Sequence, residues 1–381
     1  MKFLHVADLH IGRRLGGIGL AEDQRHALQQ IVALAEGCDA VLIAGDVYNR
    51  AQPSGEAVRM AGDFLAALAE KGKPVFVISG NHDGGELVDY CGGLLERNGV
   101  HVAGVYDGAL RRHVLRDEWG EVHVYLLPFV KPIQVRAALR RLGEDADGIQ
   151  TYEDAVRAAI ARMPLDPEAR NVLVAHQFVL GAETSDSEER AIGGLEQVPA
   201  EVFAGFDYVA LGHLHSPQRL CGGRVCYSGS PLKYALSEER QRKGALVVTL
   251  GEKGRLEIET EPILPLRDVR TVTGPLAEIA DPALYSDDFV GAVVTDELLP
   301  PDPLGALRTV YPNLIYMALR NSRTNVEMDI GELEIAENKG PLDHFVDFYT
   351  LQNNQVPPDA RRLAVMREII EQVEEGSHEA D

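Results

Sequence analysis

Long apolar runs, a cysteine framework, internal repeats and basic clusters are all missing from this sequence of 381 residues. No segment approaches the ~20 uninterrupted apolar residues that a membrane helix needs, so no spanning segment is predicted. The opening residues, Met1-Lys2-Phe3-Leu4-His5-Val6-Ala7-Asp8, reach a histidine and an acid at once, which is not the pattern of a secretory signal. Cys38, Cys91, Cys221 and Cys226 contain no CxxC pair and are too few for a disulfide scaffold, so a reduced, cytoplasmic protein is expected. Lysine and arginine together number 37 against 59 acids, for a net charge of −22. As a sum, that charge opposes a polyanionic partner. Charges more than about 8 Å apart are largely screened at physiological salt, however, so one local cationic site can outweigh it. With no Lys/Arg run to grip nucleic acid, such a substrate would need a second protein to help hold it.

What is present is a series of short apolar, β-branched runs that end abruptly in polar residues. Lys2–Ala7, Ala40–Ala44, Val75–Ser79, Val122–Leu127, Asn171–Ala175 and Tyr208–Leu211 read as buried strands. Helical periodicity falls between several of them, over Glu22–Ala35, Gly55–Ala69 and the shorter Leu87–Leu95. Gly222–Tyr227, Gly244–Leu250 and Arg255–Glu261 read as later antiparallel strands, so the fold class is α/β with helices covering sheets. Proline punctuates Pro262–Pro265, after which Asp268–Thr273, Phe289–Thr295 and Leu314–Leu319 read as strands and Leu304–Tyr311 as a helix, a small α+β module. Beyond Gly340-Pro341, Leu342, Phe345, Phe348 and Tyr349 share one helical face, and Leu363, Met366, Ile369, Ile370 and Val373 share another. The expected division is therefore 1–264, 265–335 and 340–376.

The chemistry lies where the strands end. They deliver Asp8-Leu9-His10, then Gly45-Asp46, Gly80-Asn81-His82-Asp83, His176-Gln177 and Gly212-His213-Leu214-His215. In sheets covered by helices, the carboxyl edge is where ligands bind. Every side chain in the set is a hard or borderline O or N donor and none is a thiolate, which suits Mn²⁺, Fe²⁺ or Mg²⁺ better than structural Zn²⁺. In extended chain, residues i and i+2 share a side, so Asp8 with His10 and His213 with His215 are pairs able to converge on one ion. Asp46, alone on its strand, is a natural bridge between two cations. Each piece alone has an ordinary reading as turn or surface; all five in order, each after an apolar run, do not.

This order, D-x-H, GD, GNHD, H, GHxH, resembles the signature of the calcineurin-like metallophosphoesterases. The resemblance implies a four-layer αββα sandwich with a binuclear centre. One metal would be held by Asp8, His10 and His215, the other by Asn81, His176 and His213, with Asp46 bridging. His82 would be the catalytic histidine and Asp83 its orienting partner. The flanking runs Met1–Gly12, Asp39–Tyr48 and Ser79–Asp83, with the later run Tyr227–Glu238 and the tail Phe345–Tyr349, are similar to the SbcD family of bacterial nuclease subunits. That implies a 3′–5′ exonuclease on double-stranded DNA ends that also cuts single strands and hairpins, in DNA repair, recombination and replication. Manganese is the expected metal, with Mg²⁺, Fe²⁺ or Zn²⁺ as alternatives, and the site of action is cytoplasmic, at the nucleoid.

The family's capping domain would be 265–335, and 340–376 would dock on the coiled coil of the ATPase subunit SbcC. A homodimer would form through the helices near 55–69 and 87–95, though core packing explains their apolar content equally. Arg13, Arg14 and Arg50 lie near the motifs as DNA contacts; Arg111-Arg112 and Arg136, Arg140 and Arg141 read more readily as a charged helix face. Asn49 stands where some relatives carry a phosphate-positioning histidine. Two rival functions remain at this stage: a small-molecule or cyclic-nucleotide phosphodiesterase, and a metal-bound scaffold without catalysis.

Overall fold

A computed structural model describes all residues except 110, 185, 189–196, 299–300, 322–324, 330–340, 354–355 and 379–381. The chain divides into two compact units, one of Met1–Arg13 with Gly19–Leu266 and the other of Arg14–Ile18 with Arg267–Asp381.

The first unit is a four-layer α/β sandwich. One sheet runs Leu256–Pro262, Gly244–Leu250, Lys2–Val6, Ala40–Ala44, Val75–Ile78, Val100–Ala103. The last four strands are mutually parallel, and the first two pair antiparallel. The other sheet runs Gln218–Leu220, Val225–Tyr227, Tyr208–Gly212, Arg170–His176, Gly120–Leu127, Arg111–Asp117, parallel in its four central strands and antiparallel at both edges. Strands buried on both faces need continuous apolar sequence, which these central strands have. Phe3, Leu42 and Phe76 of one sheet meet Val124, Val172 and Tyr208 of the other in the inner core. The helices Pro132–Arg141 and Tyr152–Ala161 cover the outer face of the second sheet through Val135, Leu139 and Val156. Thr151 caps the second of these helices in a reciprocal box with Asp154. Ala21–Ala35 and Gly55–Ala69 bury Leu28, Ile31, Phe64 and Leu68. Ser54 Oγ accepts from the Ala57 N–H at 3.2 Å to start the latter helix.

The second unit has a four-stranded sheet, Val269–Gly274, Phe289–Val294, Leu314–Arg320, Asn325–Asp329, with only the last pair antiparallel. Leu276, Ile279, Val290, Leu307 and Tyr311 form its core. Helices Pro341–Gln352 and Ala360–His378 follow, and the Arg362 guanidinium lies 5.6 Å from the centre of the Tyr349 ring. Gly340, and the side chain of Val373, lie outside the described residues.

Three local expectations are corrected. Leu87–Leu95 is two helices, Gly85–Val88 and Gly92–Glu96, because Cys91 between them is left-handed at φ +59° and breaks the helical ladder. Gly222–Tyr227 becomes a strand only at Val225, since Cys221–Gly223 forms a tight turn with positive φ at all three residues. Arg111-Arg112 opens an edge strand, not a helix, and its charges suit an edge that must resist pairing with other chains. No described helix is long and apolar enough to cross a membrane.

Candidate metal centre

Parallel strands of both sheets bring the five motifs to a common carboxyl edge. Asp8 and His10 follow Lys2–Val6, Asp46 follows Ala40–Ala44, Asn81 and His82 follow Val75–Ile78, and His176 ends Arg170–His176. His213 and His215 follow directly on Tyr208–Gly212. Donor atoms gather in overlapping sets, Asp8 with His10 and His215, Asp8 with Asp46 and His176, and His10 with Asp46 and His82, each within 4.8 Å. His10 Nε2 and His215 Nε2 are 3.0 Å apart. Asp46 Oδ2 lies 3.6 Å from His10 Nε2 and 3.4 Å from His176 Nε2, between the sets. Asn81 Oδ1 is 3.0 Å from His176 Nε2 and 2.9 Å from His213 Nδ1. The two histidines of GHxH therefore do not meet: His215 turns to His10, and His213 to Asn81. His213 has φ +102°, which removes the alternation that an extended i,i+2 pair requires.

Backbone geometry is unusual here for a reason. Asp8, His10, Asp46 and His213 all have positive φ, four of seven such non-glycine residues among those described. Conformations of this kind persist where the surroundings over-determine them, typically at functional sites. The loop after Asp8 is held by His10 N–H to Asp46 O at 2.9 Å, Gln24 Nε2 to His10 O at 2.7 Å and the Tyr234 hydroxyl to Leu9 O at 2.6 Å. A Cβ on Gly80 would overlap the Asp46 carboxylate, and one on Gly45 would stand 2.5 Å from His176 Nδ1. Only glycine leaves room for the donors.

The donor chemistry fits divalent ions. Asp8, Asp46, His10, His176 and His213 are buried, so their charges are out of water. Burial alone would lower His176, but the Asp46 carboxylate beside it raises it to about 9, and His176 in turn holds Asp46 below the usual carboxylate range against its own desolvation. A divalent cation among the same atoms would balance the Asp46 carboxylate and leave the imidazole lone pair as a donor. His176 Nδ1 is committed to the Ala44 carbonyl at 2.8 Å, which directs Nε2 at the cluster. Asp83 also ties loops together. Its carboxylate accepts from the backbone N–H groups of Val47, Tyr48 and Gly80 at 3.1, 2.7 and 2.8 Å, so it fixes the two loops that carry Asp46 and Asn81. Burial, reinforced by Asp46, pushes it up to about 7.

The calcineurin-like phosphoesterase family matches residues 1–217, more than half of the chain. The chain belongs to this family. A second match, SbcD_C, the type 5 capsule protein repressor C-terminal domain, covers residues 265–353. A calcineurin-like phosphoesterase followed by that domain supports an SbcD-type nuclease subunit. Among solved structures, TT1561 of Thermus thermophilus is 15% identical over 68% of this chain and 98% of its own, with a TM-score of 0.38. The β-glucosidase BglU of Micrococcus antarcticus is 12% identical over 76% and 73%, with a TM-score of 0.20. Scores this low bear no weight in reading the chain.

As a calcineurin-like phosphoesterase it also has a supporting layer that motif reasoning missed. His215 is gripped from behind: its N–H donates to Glu188 Oε1 at 2.6 Å, and its Nδ1 faces Ser187 Oγ and, at 3.5 Å, Glu238 Oε1. Lys243 Nζ pairs with Glu238 Oε2 at 2.8 Å and donates to the His215 carbonyl at 2.8 Å. Glu238 is fully buried, and His215 and Lys243 hold its carboxyl well below the ordinary range against desolvation. Ser230, Tyr234 and Glu238 all fall within the run Tyr227–Glu238, a signal visible in sequence but without an assignable role. Of the arginines named above, Arg13 donates to Ser187 O at 3.0 Å and lies over the Tyr234 ring, and Arg140 pairs with Asp147 at 2.6 Å.

Proposed function

We propose that this chain is the nuclease subunit of an SbcC–SbcD-type complex, a manganese-dependent phosphodiesterase acting on DNA ends, hairpins and single strands. The observation that carries this reading is the pair of clusters sharing Asp46, with the half-buried His82 at their edge. Asp8, His10 and His215 would hold one divalent ion and Asn81, His176 and His213 the other, with Asp46 common to both. Bound there, two such ions supply an activated water and offset charge on the phosphoryl oxygens.

The remaining work falls to the chain. His82 donates its backbone N–H to Asp46 Oδ1 at 2.9 Å, so its place is tied to the shared carboxylate. Its ring stands edge-on to His10 at 4.8 Å and, unlike the other site imidazoles, is only partly buried. From there His82 can give a proton to the departing oxygen and regain one from solvent. Gly80, Val47 and Tyr48, tied to Asp83, hold the turn in register.

Holding DNA needs more than this surface, because the net charge is −22. Phe348 at 61%, Val365 at 50% and Ile369 at 47% exposure on the last two helices offer apolar anchors of the kind that dock in a partner's groove, here the ATPase coiled coil. An apolar pocket of about 600 Å³ lined by Val58, Leu65, Leu87, Tyr90 and Leu94 supports the homodimer through Gly55–Ala69, Gly85–Val88 and Gly92–Glu96.

The test is Mn²⁺-dependent degradation of a linear duplex, with and without the ATPase partner, against His82→Ala. Metal-dependent loss of DNA that the substitution abolishes supports the reading. Turnover of a small phosphodiester with no DNA cleavage, even with the partner, would keep the metal chemistry and remove the nuclease.

A further inference from the structure

A second group of donors lies apart from the centre described above and shares no residue with it. We propose that Glu96, His101 and His113 form a separate divalent-cation site, suited to Zn²⁺, that ties together the open edges of the two sheets. His101 belongs to Val100–Ala103, the edge strand of the first sheet, and His113 to Arg111–Asp117, the edge strand of the second. In register, His101 pairs with Phe76 and His113 with Val124. Phe76 and Val124 both belong to the core between the sheets, so both imidazoles occupy inward positions at the rim of that core. An apolar side chain would ordinarily close such a rim. Here two imidazoles face each other instead, with ring centroids 4.1 Å apart, and Phe76 packs on both at 5.1 and 5.4 Å.

Donor geometry points the same way. Glu96, from the helix Gly92–Glu96, places Oε1 3.1 Å from His101 Nδ1. One donor atom from each of the three residues lies within 4.8 Å of the others. His113 Nε2 is buried with no hydrogen-bond partner among the described residues, a state that a ligand would relieve. Two imidazole nitrogens and a carboxylate make a borderline donor set of the kind zinc takes, with one position left for water. Arg111, on the same strand face as His113, is turned to the Val102 carbonyl and to Asp89 at 3.8 Å, so its charge has its own partner. The three ligands come from two sheets and a helix. Binding would favour the closed sandwich over any state in which an edge strand lifts away.

The experiment uses the full chain, stripped by chelator, reloaded with Zn²⁺ and freed of excess by gel filtration. Zinc content is compared with that of His101→Gln and His113→Gln, and Co²⁺ absorption is recorded for all three. Each variant is expected to hold one ion per chain fewer, to lose one component of the cobalt spectrum and to lose part of the zinc-induced rise in melting temperature. The difference reads this site whatever the principal centre holds. Where a histidine variant fails to fold, Glu96→Gln serves instead, since this carboxylate is 52% exposed, and at least a tenfold loss of zinc affinity is expected at one site. Equal zinc content and equal spectra across all the chains would overturn the proposal, leaving a stacked imidazole pair with an ordinary Glu96–His101 contact.

Discussion

His10 and His215 stand 205 positions apart in the chain and bring their Nε2 atoms to within 3.0 Å of each other. One follows a strand of the first sheet and the other a strand of the second, so the pair forms only when the sandwich is assembled.

Replacing His82 with Ala should lower kcat for a phosphodiester by about 10²–10⁴, the usual worth of a positioned acid. Metal content should not change if the ions are held by Asp8, His10, Asp46, Asn81, His176, His213 and His215 as proposed, even though His82 reaches within 4.8 Å of His10 and Asp46. Activity assays alongside metal analysis check this; a parallel loss of bound metal would make His82 a ligand instead.

Gly80→Ala adds a methyl group where the Asp46 carboxylate sits. The added Cβ would also stand 2.5 Å from the Asp46 backbone nitrogen, so the loop carrying Asp46 must shift with its carboxylate. Loss of metal-dependent activity together with a lowered melting temperature is expected, read by calorimetry and metal titration.

Glu238→Gln keeps the shape behind His215 but weakens its grip on Nδ1 and leaves Lys243 short of a countercharge. Metal affinity should fall by about 10–100-fold, as for other residues that orient a ligand. Stability should drop by about 3 kcal/mol through the stranded ammonium. Excess metal should restore activity while the melting temperature stays below that of the parent chain in the same metal, which separates the two effects.

Arg170, 2% exposed, is paired to Asp117 and hydrogen-bonded to the carbonyl of Gly120 at 2.9 Å. The guanidinium holds the Asp117 carboxyl well below its ordinary range. A carboxyl depressed on folding adds stability that is complete above its unfolded pKa, about 4, and fades as pH falls towards the folded value. Asp117→Asn should therefore cost melting temperature at pH 7, with the deficit closing as pH drops below about 4. A deficit that stays constant with pH would rule out the ion pair as its source.

Phe348→Asp should weaken capture by the ATPase coiled coil by at least about tenfold, as expected for an aromatic anchor. Hydrolysis of a small phosphodiester should be unaffected, because Phe348 is not among the metal donors or the residues that hold them.

Much of this was legible because each donor follows a strand that announces itself. Asp8, Asp46, Asn81, His176 and His213 come directly after buried β-branched runs, and a run's end is visible in sequence. What was not legible depends on local backbone or on distance. The separation of His213 from His215 turns on one positive φ. Asp83's attachment to the backbone N–H groups of Val47, Tyr48 and Gly80 is a matter of loop path. Glu238 reaches His215 through a fold that no spacing reports, and Arg111–Asp117 lacks the apolar run that marks a buried strand because its outer face meets water.

The left-handed turns at Asp8, His10 and Asp46 have a consequence for which element the protein carries. Gln24, Tyr234 and the Asp83 contacts hold those turns through groups that are not themselves donors to the cluster, so the fold sets the positions of the donors. Oxygen and nitrogen donors held in this way would admit only ions of matching size and geometry, and among those that fit, availability in the cell decides. The occupant should thus follow nutrition within that set: the same polypeptide recovered from iron-rich and manganese-rich cultures would differ in its inorganic contents.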